Sequence, residues 1–388
     1  MKTLNLKLYS LALVAGMSFF TACTDSNEGD EPKGNEIENG ATLRGNITSD
    51  VTLKAGNSYK LSGEYIVESG ATLNIEKGVT ITAIGDDDVV DYILVKQGAK
   101  INAVGTADQP IVMTSDLTEP GAWGGIHICG KAQTNVGSGV SEIGDAAYGG
   151  NDDADNSGRL QYVRVEYSGY AFNPEKEANG ITFYGVGSGT TVDHCQAYKG
   201  SDDGFEFFGG TVNISNMVVV SCSDDSYDWT EGWRGTGTNL VAYQEPKATL
   251  GYDCDCLIEA DNYENNFTAT PVAHPTLKNL LLVGNGSTEN KRGIRLRRGT
   301  QVTIDGAKVC GKGNAVTLES EETENALLAG TSKLTNMTVD SPLKSEKNIY
   351  TNDAFVAATG NIINTNLTYA NFAAIKAECS WMNGNWVK

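Results

Sequence analysis

Short apolar runs alternate with turn-forming residues along most of the chain. From about Leu43 onward, Val, Ile, Leu and Thr recur two positions apart, and Gly, Asn, Asp and Ser separate the runs. A period of two predicts β-strands, and the intervening residues predict tight turns. Helical periodicity is confined to residues 321–329 and 369–378. Glycine totals 45 and proline 8, which suits many turns and strands without proline breaks.

One segment of the chain is repeated. The stretch SDDGFEFFGGT, residues 201–211, returns 22 positions later as SDDSYDWTEGWRGT, residues 223–236, and weaker copies follow at 257–262, 293–300 and 314–319. At about 3.3 Å per residue, such a lap traces roughly 70 Å, enough for three short strands and their turns. The repeat predicts an all-β fold, a right-handed parallel β-helix. A β-sandwich or propeller is disfavoured, because antiparallel folds do not repeat matching residues at a fixed lap length.

The repeat also aligns the side chains of successive laps. Phe205 and Phe207 match Tyr227 and Trp229 as inward residues, so the residues between them point outward. The first outward row consists of His127, Thr182, Glu206, Asp228, Glu259, Arg295 and Thr317. The second outward row consists of Cys129, Tyr184, Phe208, Thr230, Asp261, Arg297 and Glu319.

Three carboxylates therefore stack on one face. Two carboxylates about 5 Å apart repel by roughly 3 kcal/mol at an effective dielectric near 20, so a cation, a shared proton or a guanidinium group must relieve them. Oxygen ligands at this density suit calcium, and the predicted ligands are Glu206, Asp228, Glu259 and Asp261. The alternative is structural: aspartates cap backbone N–H groups at the turns, and Arg297 pairs with acids on neighbouring laps.

Aromatic and basic side chains accompany the acidic row. The candidate stacking residues for a glycan are Tyr184, Phe208 and Trp233, and the candidate polar contacts are Arg295 and Arg297. A groove that binds a glycan, together with calcium, is therefore one hypothesis. An adhesin or structural surface protein, in which the acids only hold the laps in register, is another.

The same carboxylates offer a catalytic alternative. Two carboxylates across a sugar serve glycoside hydrolysis, and the catalytic candidates are Glu206, Asp228 and Glu259. Residues 201–204 superficially resemble the paired-aspartate motif of β-helix polygalacturonases, but the Gly-His-Gly and Arg-Ile-Lys elements of that family are absent. A calcium-assisted polysaccharide lyase is the other catalytic alternative, and Arg295 or Arg297 could serve as its base only if it is not salt-bridged. The residues leave open whether the protein is an enzyme.

The N-terminus carries the features of a secretion signal. Lys2 and Lys7 frame the start of an apolar run at 8–20, which ends in Phe-Thr-Ala-Cys and so resembles a bacterial lipobox. Residues 1–22 are the predicted lipoprotein signal peptide, and Cys23 is the predicted lipidated residue. A plain secretory signal with an incidental cysteine is the alternative.

An acidic segment follows the predicted lipidation site. Residues 23–42 are predicted to be a disordered tether, and residues 43–388 a single β-helix domain. Acids just after the lipidated cysteine resemble the surface-export signal of Bacteroidota lipoproteins, which implies an outer-membrane protein facing outward. The net charge of −20 disfavours nucleic acid as a partner, because counterion release requires basic residues.

The seven cysteines after Cys23 are predicted to be small buried residues. They are Cys129, Cys195, Cys222, Cys254, Cys256, Cys310 and Cys379. Cys254 and Cys256 lack the two-residue gap of zinc and redox motifs. Their odd number leaves at least one free thiol unless an intermolecular bond forms, and the sequence does not determine their pairing.

Several longer motifs resemble Bacteroidota lipoproteins with a β-helix of the pectate-lyase-like class. The motifs are GATLNIEKGVTI (70–81), GTADQPIVMTS (105–115), AWGGIHICGKA (122–132), IEADN (258–262), GIRLRRGT (293–300) and the tail from Trp381 to Trp386. They are typical of a fold rather than of a reaction. The resemblance implies a surface or periplasmic β-helix without an assigned chemistry. The expected partner, an extracellular polysaccharide or another polymer, rests on the outward rows described above.

Overall fold

The computed structural model describes residues 35–85, 89–173 and 176–388. The strands are β1 (Asn35–Ile37), β2 (Thr42–Ile47), β3 (Val51–Leu53), β4 (Ser58–Val67), β5 (Thr72–Ile75), β6 (Thr80–Ala83), β7 (Tyr92–Val95), β8 (Lys100–Val104), β9 (Ile111–Ser115), β10 (Ile126–Cys129), β11 (Gly139–Val140), β12 (Ala147–Tyr148), β13 (Gly158–Glu166), β14 (Ala171–Asn173), β15 (Lys176–Glu177), β16 (Ile181–Tyr184), β17 (Thr191–Tyr198), β18 (Phe205–Phe208), β19 (Asn213–Val220), β20 (Tyr227–Thr230), β21 (Thr236–Tyr243), β22 (Ile258–Ala260), β23 (Thr276–Val283), β24 (Arg292–Leu296), β25 (Thr303–Cys310), β26 (Asn314–Leu318), β27 (Lys333–Val339), β28 (Lys344–Ser345) and β29 (Ile362–Ile363). The helices are α1 (Lys247–Leu250), α2 (Glu321–Leu328), α3 (Asn352–Ala357), α4 (Phe372–Glu378) and a 3-10 turn (Ser380–Met382).

The chain coils so that each lap hydrogen-bonds to the next in parallel. The first sheet is defined by β2, β4, β7, β10, β16, β18, β20, β22, β24, β26 and β28, each paired in parallel with the next. Longer strands such as β17, β19 and β21 pair in the same way and complete each lap. The fold is therefore the predicted right-handed parallel β-helix.

A row of asparagines bends the longer strands. Asn216, Asn239, Asn279 and Asn336, here called the asparagine row, have φ angles between 54° and 58°. Asparagine tolerates this left-handed conformation better than most residues, and its amide can hydrogen-bond along the stack. Asn239 Nδ2 donates to Asn216 Oδ1 at 2.8 Å, and Asn279 Nδ2 donates to Asn239 Oδ1 at 3.3 Å. Gly306, with φ of 86°, takes the equivalent position between Asn279 and Asn336.

Aromatic side chains stack along the inside of the coil. The Phe183 and Phe207 rings are 5.1 Å apart, and the Phe207 and Trp233 rings are 4.2 Å apart with an angle of 14° between their planes. Full burial of such a side chain stabilises the fold by about 1.5–3 kcal/mol. The prediction that Trp233 forms a ligand platform is wrong, because its ring lies in this core and its Nε1 donates to the carbonyl of Val212 at 3.1 Å.

The C-terminal segment returns along the outside of the coil towards earlier laps. Trp386 is fully buried in a second apolar cluster that also contains Val218 and Val241. The Arg164 guanidinium donates to the carbonyl of Asn385 at 2.7 Å, and Lys388 Nζ lies 2.9 Å from a carboxylate oxygen of Glu166. The tail therefore covers apolar side chains that point outward from several laps.

The element boundaries differ from the predictions in two places. The predicted helices at 321–329 and 369–378 are confirmed as α2 and α4, whereas α1 and α3 were not predicted. Strand β1 pairs with β3, so the β-helix begins by Asn35 rather than at residue 43. A single apolar residue, Ile37, in an acidic stretch was too weak a signal for a strand. The predicted signal peptide and Cys23 lie outside the described residues.

The cysteines of the described region are free thiols. Six of the seven are buried, and Cys379 is half-buried, so the interpretation as small buried residues holds for those six. No helix within the described ranges is long and apolar enough to cross a membrane.

Candidate functional site

The predicted outward row has the predicted register. Glu206 pairs with Asp228, Asp228 with Glu259, and Glu259 with Arg295 on successive laps of the first sheet. The row is nevertheless covered in part, because three of its side chains, His127, Thr182 and Thr317, are fully buried. The face is therefore a partly roofed surface rather than an open groove.

Arginines neutralise the C-terminal half of the acidic row. The Arg295 guanidinium contacts Glu259 and lies 3.0 Å from Glu319, while Arg297 contacts Glu259 and lies 2.7 Å from Asp261. Burial opposes the charge of Arg295 and Arg297, but the adjoining carboxylates outweigh it and raise the pKa of both. Neither arginine is thus suited to act as a base. The predicted pairing of Arg297 with acids of neighbouring laps is confirmed.

The N-terminal half of the row is not neutralised in this way. We call Asp202, Asp203, Glu206, Asp224, Asp225 and Asp228 the carboxylate cluster. Carboxylate oxygens of Asp203, Glu206 and Asp228 lie within 4.8 Å of one another, and so do those of Asp202, Asp203 and Asp224. None of the described lysines or arginines forms an ion pair with a member of this cluster.

Hydrogen bonds satisfy the cluster only partly. Asp203 Oδ1 accepts from the backbone N–H of Asp225 at 2.9 Å, and Asp225 Oδ1 accepts from that of Cys256 at 2.6 Å. The structural role predicted for these turn aspartates is therefore confirmed. Glu206 accepts from the Asn179 amide at 2.6 Å. By contrast, the buried Oδ1 of Asp228 has no hydrogen-bond partner among the described residues.

Burial and mutual repulsion disfavour ionisation of this cluster. Burial, reinforced by neighbouring carboxylates, raises the pKa of Asp203, Glu206 and Asp228 well above the usual range. The same causes raise the pKa of Asp224 to about 6. Each close pair of ionised carboxylates costs roughly 3 kcal/mol, so a few pairs would consume the about 5–15 kcal/mol that typically stabilises a domain. Bound protons or a bound cation must therefore offset the negative charge.

An insertion roofs one end of this face. The Tyr148 ring, at the end of the hairpin formed by β11 and β12, lies 5.1 Å from the Tyr184 ring, and its hydroxyl donates to Glu231 at 2.8 Å. Tyr184 is fully buried beneath this hairpin, so its predicted role as an open stacking platform is wrong. Phe208 stacks on Tyr184 at 4.7 Å and stays half-buried. Burial raises the pKa of both Glu142 and Glu231 to about 7.

Two exposed aromatic residues were not predicted from the alignment of the repeats. Tyr170 and Phe172 are each 37% exposed, and their rings meet edge to face at 5.2 Å. The Phe172 ring lies 6.3 Å from Tyr92, which contacts His127 of the outward row at 6.2 Å. Both residues lie in an insertion outside the repeat, so lap alignment could not place them. Their only sequence signal is the spacing of two aromatic residues within a polar loop.

Comparison with known proteins agrees with the fold. Residues 45–387 match the model of the family described as pectate-lyase like beta helix domain. The chain belongs to this family. Among solved structures, the Dettilon tailspike protein is similar at 10% identity and a TM-score of 0.27, over 80% of this chain and 60% of the tailspike chain. A search of curated proteins found no match.

This member of the pectate-lyase-like family should lose stability as the pH rises above neutrality in the presence of a chelator. Because the folded-state pKa values of the carboxylate cluster are raised, its contribution to stability is complete below the ordinary carboxyl pKa of about 4 and is lost as the pH rises through the folded pKa. The folded pKa is about 6 for Asp224, whose part is therefore lost below neutrality, and it lies well above the usual range for Asp203, Glu206 and Asp228. Chemical denaturation at about pH 6.5 and 8.5 measures the loss. His127, whose lowered pKa acts in the opposite direction, gains only about 0.4 kcal/mol between these pH values, because half of the unfolded imidazole is already neutral at about pH 6.5.

The control for this measurement is Asp228→Asn, which removes one carboxylate without changing the size of the side chain. We expect a smaller decrease in the free energy of unfolding between the two pH values. A decrease as large as that of the wild type would contradict the role assigned to the carboxylate cluster.

Proposed function

We propose that this protein binds an extracellular polysaccharide at the outer face of its first sheet, with a calcium ion held by the carboxylate cluster. The observation that supports this most directly is the buried, unpartnered Oδ1 of Asp228 among carboxylates without an ion pair. Buried polar atoms in native proteins almost always have a partner, so this oxygen calls for one that a cation supplies. The likeness of the family to pectate lyase favours a polysaccharide as the ligand.

The spacing of the carboxylates fits calcium. Two oxygens bound to one calcium ion at about 2.4 Å are at most about 4.8 Å apart. Asp203, Glu206 and Asp228 meet this limit. Of the ligands expected from the sequence, Glu259 and Asp261 are engaged by arginines, so Asp203 replaces them in the proposed set.

The surroundings fit a sugar chain. A bound calcium ion would neutralise the cluster and leave coordination positions for sugar oxygens. The exposed rings of Tyr170 and Phe172 offer apolar surfaces of the kind that sugar rings cover, and they replace Tyr184 and Trp233 as candidate platforms. Arg295 and Arg297, once candidates for direct contact, would instead hold Glu259 and Asp261 in place at the end of the site.

Calcium should bind to the wild-type protein and much more weakly to Asp228→Asn, because the variant replaces an anionic ligand by a neutral amide. Isothermal titration calorimetry with calcium chloride measures the affinity. Affinity electrophoresis in gels that contain single polysaccharides then measures whether retardation depends on calcium. We expect at least one polysaccharide to retard the wild-type protein in calcium and to lose this effect in a chelator.

The matched control is Asp108→Asn, which makes the same change at an exposed position. It should leave calcium binding unchanged. Equal calcium affinity in the wild type and Asp228→Asn would refute the calcium site. Failure of every polysaccharide to retard the protein would favour an adhesin or a structural surface protein.

Membrane attachment through Cys23 is part of the proposal and rests on the sequence. The cysteine follows the apolar run at the position that lipoprotein signals require, and two or more acyl chains suffice for stable anchoring. We expect the wild-type protein in the outer-membrane fraction and Cys23→Ser in the soluble fraction. Protease treatment of intact cells tests whether the protein faces outward. A soluble wild-type protein would contradict the anchor.

Hydrolysis of the bound polysaccharide is a second candidate. Glu206 and Asp228 have carboxylate oxygens within 4.8 Å of each other, close to the separation of about 5–5.5 Å found in retaining glycosidases. Burial raises the pKa of both, and a carboxyl group that keeps its proton near neutral pH is suited to act as an acid. Glu259 is less suited to catalysis because two arginines hold its charge.

If this pair is catalytic, Glu206→Gln should abolish the release of reducing ends from a polysaccharide that the protein binds. Affinity electrophoresis of the same variant separates the two roles: lost hydrolysis with retained binding assigns Glu206 to catalysis, whereas loss of both assigns it to the calcium site. Glu259→Gln serves as the comparison and should retain measurable activity. Unchanged activity of Glu206→Gln would remove this pair as the catalytic one.

A further inference from the structure

A groove runs along the asparagine row, on strands that do not belong to the first sheet. Its floor consists of residues from four successive laps, and residues 378–381 of the C-terminal segment form its wall. The floor residues that matter here are Asn239, Asn279, Gly306 and Asn336. The volume of about 370 Å³ lies within the range of about 300–1,000 Å³ that is typical of small-ligand sites.

Gly306 interrupts the hydrogen-bonded row in the middle of this floor. The side-chain amides of Asn239 and Asn279 each donate to the asparagine of the preceding lap. Gly306 has no side chain, so no side-chain amide at this position donates to Asn279 Oδ1. A Cβ placed on Gly306 would lie 3.5 Å from that oxygen. The floor therefore contains a gap of side-chain size with a carbonyl acceptor at its edge.

The wall of the groove adds an aromatic surface without a free charge. Trp381 is half-buried, and its ring lies 6.1 Å from that of the buried Trp386. Lys308 Nζ lies 2.5 Å from one carboxylate oxygen of Glu378, and the Tyr369 hydroxyl donates to the other at 2.8 Å. The charges that line the groove are thus paired with each other. This leaves amide groups and an indole ring to contact a ligand.

These groups match the chemistry of an uncharged sugar. Hydroxyl groups can both donate to and accept from amides, and the C–H face of a sugar ring packs against an aromatic ring. An anionic ligand would find no unpaired cation here and would approach a chain with a net charge of −20. We infer that the groove between the asparagine row and Trp381 is a second binding site, which takes a neutral sugar unit of a glycan. This inference does not rest on the calcium site.

The quenching of tryptophan fluorescence reports selectively on Trp381 in the wall of this groove. The chain has five tryptophans, and Trp123, Trp229, Trp233 and Trp386 are each at most 1% exposed. Acrylamide should therefore quench mainly Trp381. We expect a neutral gluco-, manno-, xylo- or galacto-oligosaccharide to lower the quenching constant about twofold, since small-ligand sites enclose most of the ligand surface. Oligogalacturonate, which is anionic, should have no such effect.

A substitution that fills the gap provides the decisive comparison. Gly306→Asn should complete the amide row, because asparagine tolerates the positive φ and its Cβ would meet only ordinary contacts. We expect this variant to fold and to lose the protection of Trp381. Gly251→Asn makes the same change at a φ of 83° with open space around it, outside the groove, and should keep the protection.

Asp228→Asn separates the two proposed sites. It should greatly weaken calcium binding and leave the protection of Trp381 as in the wild type. The inference is overturned if none of the four neutral oligosaccharides protects Trp381, or if Gly306→Asn is protected as well as the wild type. Calorimetry of the same variants with the protecting oligosaccharide provides the affinity independently of fluorescence.

Discussion

Parallel stacking at about 4.8 Å places each side chain directly over its counterpart in the next lap. The consequence depends on the chemistry of the row. Stacked aromatic rings, such as those of Phe183 and Phe207, attract each other at this distance. Stacked amides, such as those of Asn216 and Asn239, form hydrogen bonds. Stacked carboxylates are destabilised, because like charges at this distance repel. The acidic row is therefore a part of the coil that the stacking itself destabilises.

The protein resolves this repulsion differently in the two halves of the row. On later laps, Arg295 and Arg297 lie among Glu259, Asp261 and Glu319, and the charges cancel within the fold. On earlier laps, Asp203, Glu206 and Asp228 lack such partners, and loss of solvation together with mutual repulsion raises their pKa values. A row that served only to hold the laps in register would be expected to use arginine throughout. The contrast between the halves is what makes the earlier laps the better candidate for a ligand.

The sequence predicts the register well because the strand motif of each lap stays recognisable even where an insertion lengthens the lap, as between Asp228 and Glu259. A spacing of 22 residues between Phe205 and Tyr227 suffices to place Glu206 over Asp228, and the strand pairing agrees. Exposure is less predictable, because it depends on insertions that follow no repeat. Tyr184 lies beneath the β11–β12 hairpin, and Trp233 turns into the core after the strand ends. The same limitation concealed Tyr170 and Phe172, which belong to an insertion.

The returning C-terminal tail changes how the coil holds together. In a simple solenoid, each lap contacts only its neighbours, and the end laps can fray one at a time. Here, Asn385 hydrogen-bonds to Ala107 and Asp108 near the beginning of the coil, while Lys308 pairs with Glu378 near its end. The tail, residues 378–385, thereby links laps that are distant from each other along the axis of the coil. The laps between these two points are held by the tail as well as by their neighbours, so separating any two of them would also require the tail to detach, and the opening of this part of the coil becomes cooperative.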